Sequence, residues 1–305
     1  MHAGGVRRVH GGRYRWVTSL GEPVRYRPPM PTGLDHTDHR AITDHLRVDG
    51  DAGLARRHED EDFGWDKDTA KAYLPDVLDV LAESQTRLFA QGSDKLLVVL
   101  QAMDAGGKDG TLRDVLTGLN PAGIAVTSFG VPSEEELGHD YLWRVHSHTP
   151  RAGQIAVFNR SHYEDVLVVR VKRLAPRATW SKRYAHIKAF EKMLVDEGTT
   201  IVKFFLHLSR DEQRARLQDR IDSPDERWKF RRGDLDDRAL WDDYLAAYRD
   251  AIEKTSVRRA PWFVVPADRK WVRNLAVASV LRTVLEDLEP QYPEPEEGVD
   301  GLVVE

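Results

Sequence analysis

The sequence predicts an α/β protein, a doubly wound parallel sheet flanked by helices and carrying a helical lid. Three observations point there. An apolar run at 96–100 opens into a glycine-containing loop with one lysine, Lys108, and then into helical spacing at Leu112, Val115 and Leu116. Short strand-like runs alternate with helix-period stretches, without paired hairpins. A third run, 155–158, ends in the polar cluster Asn159, Arg160, Ser161, His162, Tyr163, Glu164 and Asp165. In open α/β sheets ligands bind at the carboxyl ends of strands.

Composition bounds the function. The 305 residues suit one large domain or two small ones, and 41% hydrophobic content supplies a substantial core. Net charge is −5, so no global basic field argues for nucleic acid, and a polyanion site needs a local basic patch. Cysteine is absent, which removes disulfides, thiolate metal sites and cysteine nucleophiles. No apolar run approaches the ~20 residues of a membrane span. Arg7, Arg8, Arg13 and Arg15 precede no apolar signal core, so the expectation is a soluble, cytoplasmic protein.

Residues 1–65 read as an N-terminal arm rich in Gly, Arg, Pro and His, with the 25–31 run barred from regular helix by its prolines. Arg25 and Arg27 reaching a polyanion is the lesser alternative to a disordered or surface-wrapping leader. A helix is expected over about 66–89, then the central strand and its loop. Turn residues 120–123 lead to a strand at 124–129, and Ser133 with Glu136 forms a capping box opening a helix that carries Leu137, Tyr141, Leu142, Trp143 and Val145. Beyond the 155–158 strand, the apolar pattern continues over 166–171 and a helix is expected from about 182 to 195. The β-rich run 200–208 is the next strand, and Ser209 with Glu212 makes a second capping box. Residues 221–230 lack periodicity, 236–252 returns to helix, 262–265 is the last strand and 271–288 the last long helix. The Pro- and Glu-rich tail 290–305 reads as mobile or a partner contact.

The loop 102–111 has the layout of a phosphate-binding P-loop. Glycines let N–H groups turn onto an anion, a helix N-terminus adds positive potential, and Lys108 adds a mobile charge. Ala102 stands where Gly is usual and Asp109 where Ser or Thr is usual. A plain strand-to-helix turn with a surface lysine is the alternative. Arg216 and Arg220 share a helix face, and Arg227, Lys229, Arg231 and Arg232 follow in an irregular segment. A solvated basic face would explain them. Beside a P-loop, they match the closing segment of phosphoryl-transfer enzymes, which disperses transition-state charge. Asp104 inside the loop has no structural duty and is read as holding Mg²⁺ or taking a proton, whereas Asp109 can act simply by stabilising the helix N-terminus. Asp165 and Glu164 lie near the end of the third strand, and His162 is read as structural.

Three stretches, 102–111, 158–166 and 222–230, with 260–262 and 265–268, carry a resemblance to polyphosphate kinase family 2. It covers about 66–289 and implies a thymidylate kinase-like P-loop kinase fold with a lid at about 209–235. It implies reversible phosphoryl transfer between inorganic polyphosphate and AMP, ADP or ATP, with Mg²⁺ (Mn²⁺ as the alternative ion). It further implies self-association as a dimer or tetramer, and no nucleic-acid or membrane partner. By position, Asp104, Lys108 and Arg160 are the implied catalytic residues. Ala105, Gly106, Gly107, Asp109, Gly110, Thr111, Asn159, Arg216, Arg220 and Lys229 are the implied phosphate or nucleotide contacts, and Asp104 and Asp165 the implied metal ligands. The 162–165 sequence resembles members that phosphorylate both AMP and ADP. Arg269 departs from the family pattern, which often has Asp there. The rival expectations are an ATP-dependent small-molecule kinase on the same fold and a non-catalytic polyphosphate- or nucleotide-binding regulator.

Overall fold

The computed structural model describes Arg7–Arg8, Tyr14–Arg15, 34–299 and 301–304. Residues Met1–Gly33 form one unit, in which β1 (Arg7–Arg8) pairs antiparallel with β2 (Tyr14–Arg15). The proline-rich run 25–31, with Arg25 and Arg27, lies outside the described residues.

Leu34–Glu305 form the second unit, built on a five-stranded parallel sheet. Its strands are β3 (Lys95–Ala102), β4 (Ile124–Ser128), β5 (Ile155–Asn159), β6 (Thr199–His207) and β7 (Trp262–Pro266), in the order β4-β5-β3-β6-β7. β3 is central, and every residue from Leu96 to Ala102 is buried, which is why it reads as a continuous apolar run rather than an alternation. Its register sets Leu100 beside Asn159 of β5 and beside Phe204 of β6. The P-loop therefore leaves the sheet between the ends of two neighbouring strands, the position where open α/β sheets bind ligands.

Side-chain alternation along β3 divides the core. Leu96, Val98 and Leu100 pack with α1 (His39–Leu46), α2 (Lys67–Gln91), α3 (Lys108–Val115) and the apolar α11 (Lys270–Leu288). Leu97 and Val99 face the other way, onto α7 (Arg177–Asp196) and α10 (Trp241–Thr255). The helices thus cover both faces, as the sequence predicts.

Several elements differ from expectation. The arm expected to run to 65 ends at Gly33: α1 is capped by Asp38, and Ile42, Leu46, Phe63 and Trp65 enter the core. The helix opened by Ser133 stops after α4 (Glu134–Leu137), although its capping box forms in full. The Asp140 side chain then accepts from Leu142 N–H, a turn that competes with helix, and α5 (Trp143–His146) follows separately. Residues 166–171 include the one-turn helix α6 (Val168–Val171). The helix expected over 236–252 is divided at Leu240 into α9 (Gly233–Ala239) and α10. None of the described helices is long and apolar enough to cross a membrane.

Candidate active site

The P-loop turns on backbone that side chains rarely allow. Ala105 has φ +59° and Gly107 φ +93°. At Gly107 the reason for glycine is contact as well as conformation, since a Cβ there would lie 1.9 Å from Arg273 Nη1. A Cβ on Gly106 would lie 2.5 Å from Ala102 Cβ, so Gly106 makes room for the alanine that departs from the usual loop. The N–H groups of Gly107, Lys108, Asp109 and Gly110 have no backbone acceptor among the described residues. They form the electropositive start of α3.

Lys108 Nζ lies 3.2 Å from the Ala102 carbonyl, folded back over its own loop. Burial, then the Arg160 guanidinium, pull its pKa below the ordinary lysine value, against Asp104, Glu164 and Asp109. Arg160 follows β5 directly, with φ +62°, and its Nη2 donates to Asp104 Oδ1 at 3.0 Å. Burial disfavours the Arg160 charge, but Glu164 and Asp104 more than restore it. Asp104, Lys108, Arg160 and Glu164 thus converge from the ends of β3 and β5. Asn159 braces the mouth: its Nδ2 donates to Asp109 Oδ1 at 2.8 Å and to Ser128 Oγ at 3.3 Å.

The turn carrying Arg160 and Glu164 is anchored from below. Tyr163 is fully buried, and its hydroxyl donates to Glu191 Oε1 at 2.7 Å. Lys203 Nζ, equally buried, donates to Glu191 Oε2 at 2.6 Å and to the Thr255 carbonyl at 3.0 Å. Burial alone would raise the Glu191 carboxyl; Lys203 and His162 hold it below the usual range. His162 itself is buried 3.5 Å from Glu191, and neither ring nitrogen makes a hydrogen bond among the described residues.

Three expected site residues are turned elsewhere. Asp165 was implied as a metal ligand, but Arg183 Nη1 donates to its carboxylate at 2.6 Å, and it does not line the pocket beside Asp104. Its neighbour Glu164 does line that pocket, and burial raises the Glu164 pKa. Successive residues of one tight turn face opposite ways, so adjacency in sequence could not choose between them. Thr111 is buried, and its hydroxyl donates to the Gly107 carbonyl at 3.1 Å, closing the first turn of α3 rather than facing a ligand. Arg216 is also withdrawn. From α8 (Arg210–Asp222) it donates to the carbonyls of Ala105 at 3.2 Å, Ala267 at 2.7 Å and Asp268 at 2.9 Å, with Glu212 on its Nε at 2.8 Å. Gln213 adds a bond from Nε2 to the Asp104 carbonyl at 2.9 Å. The start of α8, expected to open the lid, is therefore fixed to the P-loop. The second capping box forms only by half, because Asp268 rather than Glu212 accepts from Ser209 N–H. Arg269 pairs with Asp62.

Arg220 makes no hydrogen bond or ion pair among the described residues, so its charge is available. Lys229 sits in a single turn, Arg227–Lys229, with Glu226 Oε1 2.7 Å from its Nζ. Arg273 was not anticipated. It is buried beneath Gly107 and Gly110, and burial and the nearby Arg216 lower its pKa to about 10.

A pocket opens beside the loop, lined by Asp104, Arg160 and Glu164 together with Val168, Gln213, Asp237, Tyr244 and Tyr248. Sequence reasoning passed over the tyrosines, although their spacing of four on one helix puts them on a common face. A divalent ion that also binds substrate phosphates needs one or two protein carboxylates. Asp104 fits, being partly exposed at the pocket with its Oδ1 held by Arg160 alone. Among the described residues no cluster of three or more His, Cys, Asp or Glu forms a complete cage.

Known proteins resemble this chain. Residues 64–294 match the family Polyphosphate kinase 2 (PPK2). An AMP/ADP-polyphosphate phosphotransferase of Meiothermus ruber is 60% identical over 225 residues, 74% of this chain and 84% of that one. An ADP-polyphosphate phosphotransferase of Rhodopseudomonas palustris is 46% identical over 70% of this chain and 78% of its own. The crystal structure of polyphosphate kinase 2 from Arthrobacter aurescens TC1 superposes with a TM-score of 0.82 at 42% identity, covering 87% of this chain and 95% of that one. The Arthrobacter structure shares the fold, and the family match takes in the P-loop, the β5 turn and α8, so the chain belongs to the polyphosphate kinase 2 family.

Proposed function

We propose that this enzyme transfers the terminal phosphoryl group of inorganic polyphosphate to AMP and ADP, reversibly, with Asp104, Lys108 and Arg160 at the reacting centre. The observation that carries the reading is the convergence of Lys108, Arg160 and the α3 N–H groups on one point, with the Asp104 carboxylate at its edge. Phosphoryl transfer asks the protein mainly for position and charge stabilisation. An oxygen of the nucleotide's terminal phosphate attacks the terminal phosphorus of the polymer in line. The anhydride bond to the rest of the chain breaks, and the shortened polymer keeps the electron pair. Lys108 and Arg160 oppose the charge that gathers on the equatorial oxygens, and Arg220 and Lys229 close from the lid. Bonds broken and formed are both phosphoanhydrides, which supports reversibility.

Asp104 would hold the divalent metal, Mg²⁺ by this reading, and the ion would supply positive charge to offset that of the phosphates. Asn159, with Ser128 and Asp109, keeps the loop open toward the ligand. Use of both AMP and ADP is supported by the name of the Meiothermus relative. The test is incubation with AMP or ADP, Mg²⁺ and polyphosphate, with ATP read by luminescence. ATP appearing with ADP as acceptor, and ADP then ATP with AMP, is the expected result. Phosphorylation from ATP alone, with polyphosphate ignored, would favour a conventional kinase, and binding without turnover a regulator.

A further inference from the structure

The pocket beside the P-loop has a composition ill suited to an inorganic polyanion. Asp104, Glu164 and Asp237 contribute three carboxylates to its wall, against the single lining cation Arg160. Lys172 pairs with Asp237 at 2.8 Å, which offsets one of those charges from behind. The remaining wall is Ala102, Met103, Val168, Tyr244 and Tyr248, with one amide, Gln213. A chain of phosphates placed here would meet like charge and desolvating apolar surface, both unfavourable. A nucleotide offers what this wall can use: ribose hydroxyls to donate to carboxylates, a flat base against apolar and aromatic surface, and a short phosphate end for Arg160.

Tyr248 is the polar group left without a protein partner in this wall. Its ring is buried and stacks on Phe205 with centroids 4.4 Å apart. Its hydroxyl makes no hydrogen bond among the described residues and is not among their enclosed unpartnered atoms, so it is open to the pocket that Tyr248 lines. Tyr244, one turn earlier, differs in that its hydroxyl already donates to Asp237 Oδ1 at 3.0 Å. Burial, and after it Glu164, keep the Tyr248 phenol protonated far above neutral pH, so it offers a permanent donor. Arg160 and Asp104 act on the same phenol, which puts it beside the reacting centre.

We infer that this pocket receives the nucleotide rather than polyphosphate, and that the Tyr248 hydroxyl donates a hydrogen bond to the nucleotide's acceptor phosphate. The inference rests on the phosphoryl-transfer reading of the same site. Tyr248 changes no bond in the reaction and holds the accepting oxygen in line.

Tyr248→Phe tests it with little disturbance, because the stacked ring remains and only the O–H is lost. Loss of a hydrogen bond to a charged group corresponds to a fall of about 10- to 100-fold in kcat/KM for ADP. The KM for polyphosphate should move by less than about twofold. Direct titration of ADP without polyphosphate should show weaker binding by the variant, with an unchanged melting temperature. Val168→Phe provides a second, independent variant that fills the pocket, expected to weaken ADP and spare polyphosphate. Unchanged ADP kinetics and binding in Tyr248→Phe, or a loss confined to polyphosphate in either variant, would overturn the inference. Should the native enzyme make no ATP from ADP and polyphosphate, the activity reading fails by itself, and the ADP titrations still decide the pocket.

Discussion

At the residue scale, what decides a side chain's part is which way its turn aims it. Lys108 combines lowered pKa, partial burial and a position over the α3 N-terminus, the setting in which a cation acts on phosphate without a competing carboxylate partner. Lys108→Ala should therefore lower kcat by about 10³-fold or more while the protein stays folded, since charge stabilisation is most of phosphoryl-transfer catalysis. Turnover near the native value in a folded Lys108→Ala protein would sink the assignment. Asp165 leads to a stability prediction instead. Burial raises its pKa from 3.8 to about 6, despite Arg183. The folded protein then holds this proton more tightly than the unfolded chain, so the contribution is full below about pH 4 and is lost as pH rises through about 6. Asp165→Asn lacks the titration. The melting temperature of the native protein relative to that variant should fall between pH 4 and 6.5, by several degrees, for a linkage worth about 3 kcal/mol. A difference that stays flat across that range would refute it. The sequence shows Lys108 and Asp104 plainly, because a strand, a loop and a helix in succession fix where they sit. It does not separate Asp165 from Glu164, because a single turn without periodicity gives no rule for facing.

At the scale of elements, α8 is the instructive case. Arg216 and Arg220 share a helix face and look equivalent in sequence, yet burial differs along the helix. Arg216 lies where α8 crosses the P-loop and spends its guanidinium on three backbone carbonyls, while Arg220 lies past the crossing. Helical periodicity reports a face, not the point along it where another element begins. Arg216→Ala should lower stability by about 3 kcal/mol or more, because buried carbonyls lose their donors and the loop loses its tie. Arg220→Ala should leave the melting temperature nearly unchanged and raise the KM for polyphosphate by about 3- to 10-fold, more at low salt, as expected of an accessible cation. Thermal melts paired with polyphosphate titrations at two salt concentrations distinguish the two. Equal effects from the two substitutions would mean that α8 acts as one uniform lid. The same reasoning explains α4 and α5: the capping box at Ser133 correctly marks a start, but the Asp140 turn marks a stop that apolar spacing conceals.

At the scale of the whole molecule, the sheet order and both helical layers follow from alternating strand and helix periods, and the sequence displays these directly. The N-terminal boundary does not follow, because Gly, Pro and His composition masks a short helix whose apolar content is two well-placed residues, Ile42 and Leu46. These two, with Phe63 and Trp65, are at most 7% exposed. At about 1.5–3 kcal/mol for each large apolar side chain, removing all four forfeits roughly 6–12 kcal/mol, comparable with the 5–15 kcal/mol that holds a typical domain together. Polar ties would go with them. Val48 N–H donates to the Trp262 carbonyl at 2.9 Å, and His39 Nδ1 lies 2.9 Å from Ser279 Oγ on α11. The loss would also reach the site, since Asp268, which caps α8, donates its own N–H to the Glu59 carbonyl at 3.0 Å. A chain of residues 34–305 should melt with the cooperativity of the full protein, whereas one of residues 66–305 should fail to fold or lose about 10 °C or more. Circular dichroism melts of the two truncations decide the matter: a 66–305 chain as stable as 34–305 would show that the segment from Leu34 to Trp65 is an appendage, and that the core closes without it.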